Sequence, residues 1–211
     1  MRVIVLGAGG HAKVLLEALK LNGVEVFGLT DIAQNKNWGT MSGFNIIGND
    51  DEILKYRDEG LFLVNGIGSI RVSPLRREAF ERCKGQGYKF IQVIHPGSVV
   101  AEGVRLGEGV QIMAGAVIQP GTCIGDNSVI NTLAAVDHDC EIGSHVHVSP
   151  GAVLSGGVKL GNGTHVGTGA VVIQGIQIGA NCLIAAGAVV TKDIPDGAAV
   201  AGVPARQMKK R

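Results

Sequence analysis

Two patterns of hydrophobic and polar positions divide the chain. Up to about residue 92, short aliphatic runs alternate with amphipathic stretches. "RVIVLG" is continuously aliphatic and predicts a strand buried on both faces. "GHAKVLLEALKLNG" has helical spacing at Val14, Leu15, Ala18 and Leu19 and predicts a helix that stops at Gly23. "VEVFGL" predicts a second strand, ending at Thr30 and Asp31. "GNDDEILKYRDEG" opens with acids, which favour the start of a helix. "LFLVNGIG" predicts a third strand. "SPLRREAFERCKGQG" predicts a helix with Ser73 as N-cap and Pro74 in the first helical position. "YKFIQVI" predicts a closing strand. Strands and helices in this alternation imply a small parallel sheet.

From residue 94 the pattern becomes strictly periodic. Every sixth residue from Ile94 to Val190 is Ile, Val or Leu, seventeen positions without a break. The residue three further on is Gly in eleven of the seventeen. The others are Asn127, Leu133, Asp139, His145, Asn181 and Asp193, and all but Leu133 are types that tolerate a left-handed backbone. The residue after that is small or β-branched, suited to an inward slot. A period of six with one turn per unit is the signature of a hexapeptide β-helix. Three units close one triangular coil, so equivalent positions recur at a separation of about 18 residues, on coils stacked about 4.8 Å apart. The expected organisation is an α/β domain over residues 1–92 and a β-helix with a short C-terminal tail over 93–211.

Composition narrows the classes. Thirty-three glycines in 211 residues would suit disorder, but abundant aliphatics and the unbroken period favour an ordered repeat. A net charge of +1 gives no general electrostatic reason for binding nucleic acid or an anionic membrane. Cys83, Cys123, Cys140 and Cys182 form no CxxC pair and read as free thiols of a reducing compartment. No apolar run approaches the ~18 residues of a membrane span, and the N-terminal run reads as a strand rather than a signal peptide. A cytoplasmic location is expected.

Chemistry concentrates where the glycine column breaks. His138 and Asp139 stand at a coil corner. A nucleophile that must lose a proton as it attacks needs a base, and a near-neutral imidazole suits that work. A carboxylate on the other ring nitrogen would fix the tautomer and raise the basicity. One coil on from His138 lies Gly156, whose amide is placed to donate to an oxyanion. His147 should stack on His165 by the same spacing. A histidine pair on adjacent coils is also the beginning of a zinc site. However, the close pair His145 and His147 has opposite phase, and no metal is expected; His145 reads as a structural or rim residue. In the first half, "GAGGHAK" follows a strand and opens a helix, so Gly7, Gly9 and Gly10 let a phosphate approach backbone amides. The third glycine of a dinucleotide fingerprint is replaced by Ala12, which argues against hydride transfer. Thr30 and Asp31, and Gly68 in "NGIGS", end strands at the same sheet edge, where a Rossmann-like domain binds ligands.

The hexapeptide grammar resembles the acyl-CoA-dependent acyltransferases built on a left-handed parallel β-helix. "LGAGGHAKVLLEAL" with "FGLTD", and "INTLAAVDHDCEIGSHVHVSPGAVLSGGVKLG" with "GVPAR", narrow it. Together they resemble the nucleotide-sugar N-acetyltransferases of the bacillosamine pathway and their relatives that acetylate perosamine or sialic acid. The resemblance covers essentially the whole chain. It implies an acetyl-CoA-dependent enzyme, commonly a homotrimer, acting on the 4-amino group of a nucleotide-linked 4-amino-4,6-dideoxy sugar by direct transfer. His138 would be the base, Asp139 its tuning acid, and Gly156 the oxyanion amide. Some relatives have Glu after the histidine, and Asp139 is one methylene shorter. Gly9, Gly10 and His11 would hold the diphosphate, Thr30 and Asp31 the base or ribose, and Gly68 the substrate. Asn131, which matches the Asn of an "LNT" stretch, would position substrate or is simply a strand-surface residue. His147 would contact acetyl-CoA, with Gly167, Thr168 and Ala186 along the pantetheine channel. Arg206, Lys209, Lys210 and Arg211 would pair with the 3′-phosphate of coenzyme A or form a solubilising tail. Cys140 is expected in the wall, with no acyl-enzyme. The rivals are O-acetylation of a sugar hydroxyl, a non-catalytic nucleotide-sugar-binding scaffold, and a metal hydrolyase.

Overall fold

The computed structural model describes residues 1–31, 40–69 and 72–208. They form two compact units, one of Met1–Ser69 and Ser73–Pro96, the other carrying the chain from Gly97 onward. Among the described residues no helix is long and apolar enough to cross a membrane.

The first unit contains β1 (Arg2–Leu6), α1 (Gly10–Leu21), β2 (Glu25–Thr30), β3 (Thr40–Met41), β4 (Phe44–Gly48), a 3-10 helix (Asp50–Glu59), β5 (Phe62–Asn65) and α2 (Leu75–Gly85). The sheet order is β3-β4-β2-β1-β5. All pairs are parallel except β3 with β4. β1 lies between β2 and β5, and Val3, Ile4, Val5 and Leu6 are buried, which is why its sequence is aliphatic without alternation.

Several local expectations are corrected. Val14 is 45 % exposed, because the buried stripe of α1 runs through Ala12, Leu15, Leu16, Ala18 and Leu19. The acidic segment forms a 3-10 helix capped by Asn49, whose side chain accepts from the Asp51 amide at 2.9 Å. Pro74 itself holds the N-cap of α2, and Ser73 makes no capping bond. "YKFIQVI" makes one isolated bridge, Phe90 to Leu63, and the short strand Val93–Ile94.

The second unit is the left-handed β-helix. Two-residue strands recur every six residues from Val99–Val100 to Val189–Val190. Register falls at 18 residues, as in Val117 opposite Ala135 and His147 opposite His165. The aliphatic second residue of each strand is buried from Ile112 to Val190. Corners adopt positive φ at every sixth residue from Gly103 to Gly187, including Leu133 at 58° and Asp139 at 58°. Asp193 departs from the column and instead caps the Gln177 amide through Oδ1 at 2.9 Å.

The outward first residues give the three faces different chemistry. One carries Val99, Val117, Ala135, Val153, Val171 and Val189. The next carries Arg105, Cys123, Glu141, Lys159 and Gln177. The third carries Gln111, Val129, His147, His165 and Leu183.

Candidate active site

Asp137, His138 and Asp139 form the corner where the valine face turns into the polar face. Asp139 keeps the positive φ that glycine holds elsewhere in its column, and its amide donates to Pro120 O at 3.0 Å. A short acid tolerates that backbone better than most residues. The His138 amide donates to Asp137 Oδ1 at 2.7 Å, and His138 Nδ1 lies 2.8 Å from Asp139 Oδ2. The shorter acid therefore does reach the ring. A carboxylate accepts only, so in the neutral ring Nδ1 carries the proton and Nε2 keeps its lone pair. The hydrogen bond that Nδ1 gives to Asp139 raises the His138 pKa above its ordinary value; desolvation opposes it, and the charges of Asp137 and Asp139 add to it.

Gly156 stands one coil on, as the 18-residue spacing requires. A Cβ built there would lie 2.5 Å from His138 Nε2 and 2.6 Å from Cε1. Glycine is thus required for the ring to rest with Nε2 over this backbone. Among the described residues no backbone carbonyl accepts from the Gly156 N–H, whereas the neighbouring Gly157 amide donates to His138 O at 2.8 Å. Gly121, one coil before Asp139, serves from the other side: a side chain there would strike Asp139 Oδ1. Sequence reasoning passed over Gly121 and Asp137, although subtracting 18 from 139 finds the first.

A second cluster lies on the third face. Asn131 Nδ2 is 3.1 Å from His147 Nε2, and Asn131 Oδ1 accepts from the Thr132 amide at 2.7 Å. The amide is thereby oriented to donate, so His147 accepts at Nε2 and holds its proton on Nδ1. His147 and His165 meet edge to face at 4.9 Å. Ser149 Oγ lies 3.2 Å from His165 Nε2, and burial lowers the His165 pKa. His147 has the outward phase of its strand, yet it is only 9 % exposed. His145 keeps a corner, with Nδ1 3.0 Å from Asn127 Nδ2. Among the described residues no group of three His, Cys, Asp or Glu is placed to hold a metal ion.

Within one chain the two clusters do not meet. His138 sits at one edge of the valine face, while Asn131, Gly167, Thr168 and Ala186 sit at or beside the opposite corner. Thr168 and Ala186 are exposed, but Gly167 is enclosed: a Cβ there would lie 2.6 Å from Ala186 N. That glycine is demanded by coil-to-coil contact. Cys140 is buried with a raised pKa, chiefly from desolvation, and belongs to the wall. Arg206 lies exposed on a short strand paired with Ala199–Ala201, and Lys209, Lys210 and Arg211 lie outside the described residues.

In the first unit, Gly9, Asp31 and Gly68 line one cavity of about 270 Å³ at the carboxyl ends of the strands. Gly9 and Gly10 are open at the start of α1, with no side-chain cap above the helix amides. His11 packs on Gly68, whose added Cβ would lie 3.1 Å from His11 Cβ. Thr30 is corrected as a direct ligand. It is fully buried, and its hydroxyl donates to Asp50 Oδ1 at 2.5 Å.

Comparison with known proteins agrees with this architecture. The PglD N-terminal domain model matches residues 2–83, and the bacterial transferase hexapeptide (six repeats) model matches residues 103–132 and 157–192. PerB from Caulobacter crescentus, solved with CoA and GDP-perosamine, is 38 % identical with a TM-score of 0.92, covering 99 % of this chain and 98 % of that one. The chain belongs to the hexapeptide-repeat nucleotide-sugar N-acetyltransferase family. Two further structures of the Caulobacter GDP-perosamine N-acetyltransferase, with a single histidine changed to alanine or asparagine, match at TM-score 0.93. The acetyltransferase domain of PglB from Neisseria gonorrhoeae, with acetyl coenzyme A, is 35 % identical with a TM-score of 0.90, covering 98 % of each chain. No curated protein sequence matches.

Proposed function

We propose that this protein acetylates the 4-amino group of a nucleotide-linked 4-amino-4,6-dideoxy sugar, taking the acetyl group directly from acetyl-CoA in the cytoplasm, where that donor is made. The observation that carries the mechanism is His138 Nε2, its lone pair set free by Asp139 and held over Gly156. The sugar nitrogen attacks the thioester carbon while Nε2 takes its proton. The negative charge on the carbonyl oxygen is met by the Gly156 N–H. Collapse breaks the C–S bond, and the imidazolium returns the proton to the departing thiolate. Cys140, buried and held protonated, takes no part. The relatives solved with CoA and GDP-perosamine or with acetyl coenzyme A support donor and acceptor class. Initial rates with both substrates varied should give intersecting reciprocal plots and no acetylated protein; parallel plots with a trapped acetyl-enzyme would contradict direct transfer.

The pH dependence has a definite sign. The active form is neutral His138, and Asp139 raises its pKa, so kcat/KM rises with pH through a limb above the ordinary histidine value. In Asp139→Asn the limb should move to lower pH and the plateau should fall, because the base is weaker; asparagine keeps the left-handed corner. A limb that stays in place would mean that Asp139 does not tune the base.

The site is completed between copies in a homotrimer. An outward column of five valines and one alanine leaves Val99 61 % and Val153 39 % exposed. Leu133 borders it, 68 % exposed on a left-handed corner that costs a non-glycine residue about 1 kcal/mol. A stripe of that kind marks a subunit interface. Meeting valine faces would bring the Asn131, Thr168 and Ala186 edge of one copy toward the His138 edge of the next. Val117→Lys should therefore yield monomers by light scattering and lose activity together; full activity in a monomer would refute the shared site.

A further inference from the structure

The cavity of the first unit contains an arrangement that the family motifs did not reveal. Besides the glycine loops it is walled by Ala8, Ile67, Leu75 and Ala79, an apolar bed for a flat ring. Its volume of about 270 Å³ lies just below the ~300 Å³ at which small-molecule sites begin, so it holds a base and ribose rather than a whole nucleotide sugar. Two charged side chains of α2, Glu78 and Arg82, also line it. They are four residues apart and share one face of the helix.

Arg82 is held in place. Its Nη2 donates to Asp50 Oδ2 at 2.7 Å, while Asp50 Oδ1 receives the Thr30 hydroxyl at 2.5 Å. Thr30 Oγ1 in turn lies 3.4 Å from the Gly7 amide of the glycine loop. Asp50 is 9 % exposed and Thr30 fully buried, so the anchor is a buried one. Arg82 itself remains half exposed, with donors to spare beyond the one that Asp50 takes.

We propose that Arg82 and Glu78 read the nucleobase of the sugar nucleotide, and that Asp50 and Thr30 are positioning residues for Arg82. Both side chains face the same cavity, so the Arg82 guanidinium can present a donor and the Glu78 carboxylate an acceptor to one ring edge. That is the complement of a lactam edge, a ring carbonyl beside a ring N–H. Guanine and uracil have such an edge; adenine and cytosine present the reverse, a ring acceptor beside an amine. Guanine adds its 2-amino group as a second donor to Glu78, so its carboxylate contact is bidentate, as in base recognition generally. The order of preference is GDP, then UDP, then ADP and CDP. This rests on the nucleotide-sugar reading and names its base.

Calorimetric titration of the full chain with the four nucleoside diphosphates tests it without acetyl transfer. GDP should bind at least about tenfold more tightly than ADP or CDP, the gain expected of one good bidentate contact. Arg82→Ala should reduce that preference to near one, Arg82→Lys should restore part of it, and Thr30→Val should weaken it in the same direction. Equal affinity for all four would overturn the proposal. So would an Arg82→Ala loss that is the same for every base and for inorganic pyrophosphate, since Arg82 would then serve the phosphates. If the base order holds but no amino sugar is acetylated, the base reading stands and the transfer reading falls. If acetylation proceeds with no base order, the reverse applies.

Discussion

His138→Ala should lower kcat by at least about 10²-fold, the lower end of what a positioned general base supplies. The variant should fold normally. The ring is half exposed, and its removal leaves only a surface bond to Asp139 unmade. The KM for the nucleotide sugar should change little, because the first unit carries the proposed nucleotide contacts. His138→Asn should behave in the same way, since an amide fills part of the space but accepts no proton at neutral pH. Thermal melting and steady-state rates on the two variants check this. Turnover within a few-fold of the parent protein would remove His138 from the mechanism.

Gly156→Ala should be nearly as damaging, though it adds one methyl group to a residue that performs no chemistry with its side chain. The new Cβ would stand 2.5 Å from His138 Nε2, well inside contact distance, so the ring must swing away. Displacement of a catalytic group by about 1 Å costs on the order of 10²-fold. Stability should hardly change. Gly156 does not use a left-handed backbone, and what it strikes is the end of a side chain that has solvent to move into. Gly157→Ala is the control. Gly157 has φ of 68° and no neighbour closer than 4.0 Å to an added Cβ, so that variant should lose about 1 kcal/mol of stability and keep most of its turnover. If the two variants exchange these behaviours, the geometry assigned to His138 is wrong.

How much of this could be read in advance differs between the two halves. The β-helix was legible because every coil repeats one rule. An aliphatic every sixth residue and a left-handed residue three later are imposed by the triangular section, and they leave no freedom for a competing register. The same rule located Gly156 beneath His138 and set His165 on His147. It failed where chemistry depends on depth rather than phase: His147 has the outward phase yet is buried. In the α/β half, the hairpin of β3 and β4 was missed. Its signal was the Ser42-Gly43 pair between two short segments, and in the structure both residues adopt the positive φ of a two-residue turn. The Thr30–Asp50–Arg82 chain could not have been found. Its members are 20 and 32 residues apart on three different elements, and no periodicity relates them. Thr30 looked like a surface ligand because it ends a strand at the binding edge, but its hydroxyl turns inward to Asp50.

The most direct measurement is a matched pair of acceptors: one nucleotide-linked 4-amino-4,6-dideoxy sugar and its 4-hydroxy counterpart, each incubated with acetyl-CoA and the protein. Thiol release and the product's NMR spectrum are then recorded. The expected result is release with the amino sugar alone and an acetamido group at C4. Release with the hydroxy sugar instead, giving an acetate ester, would contradict N-acetylation.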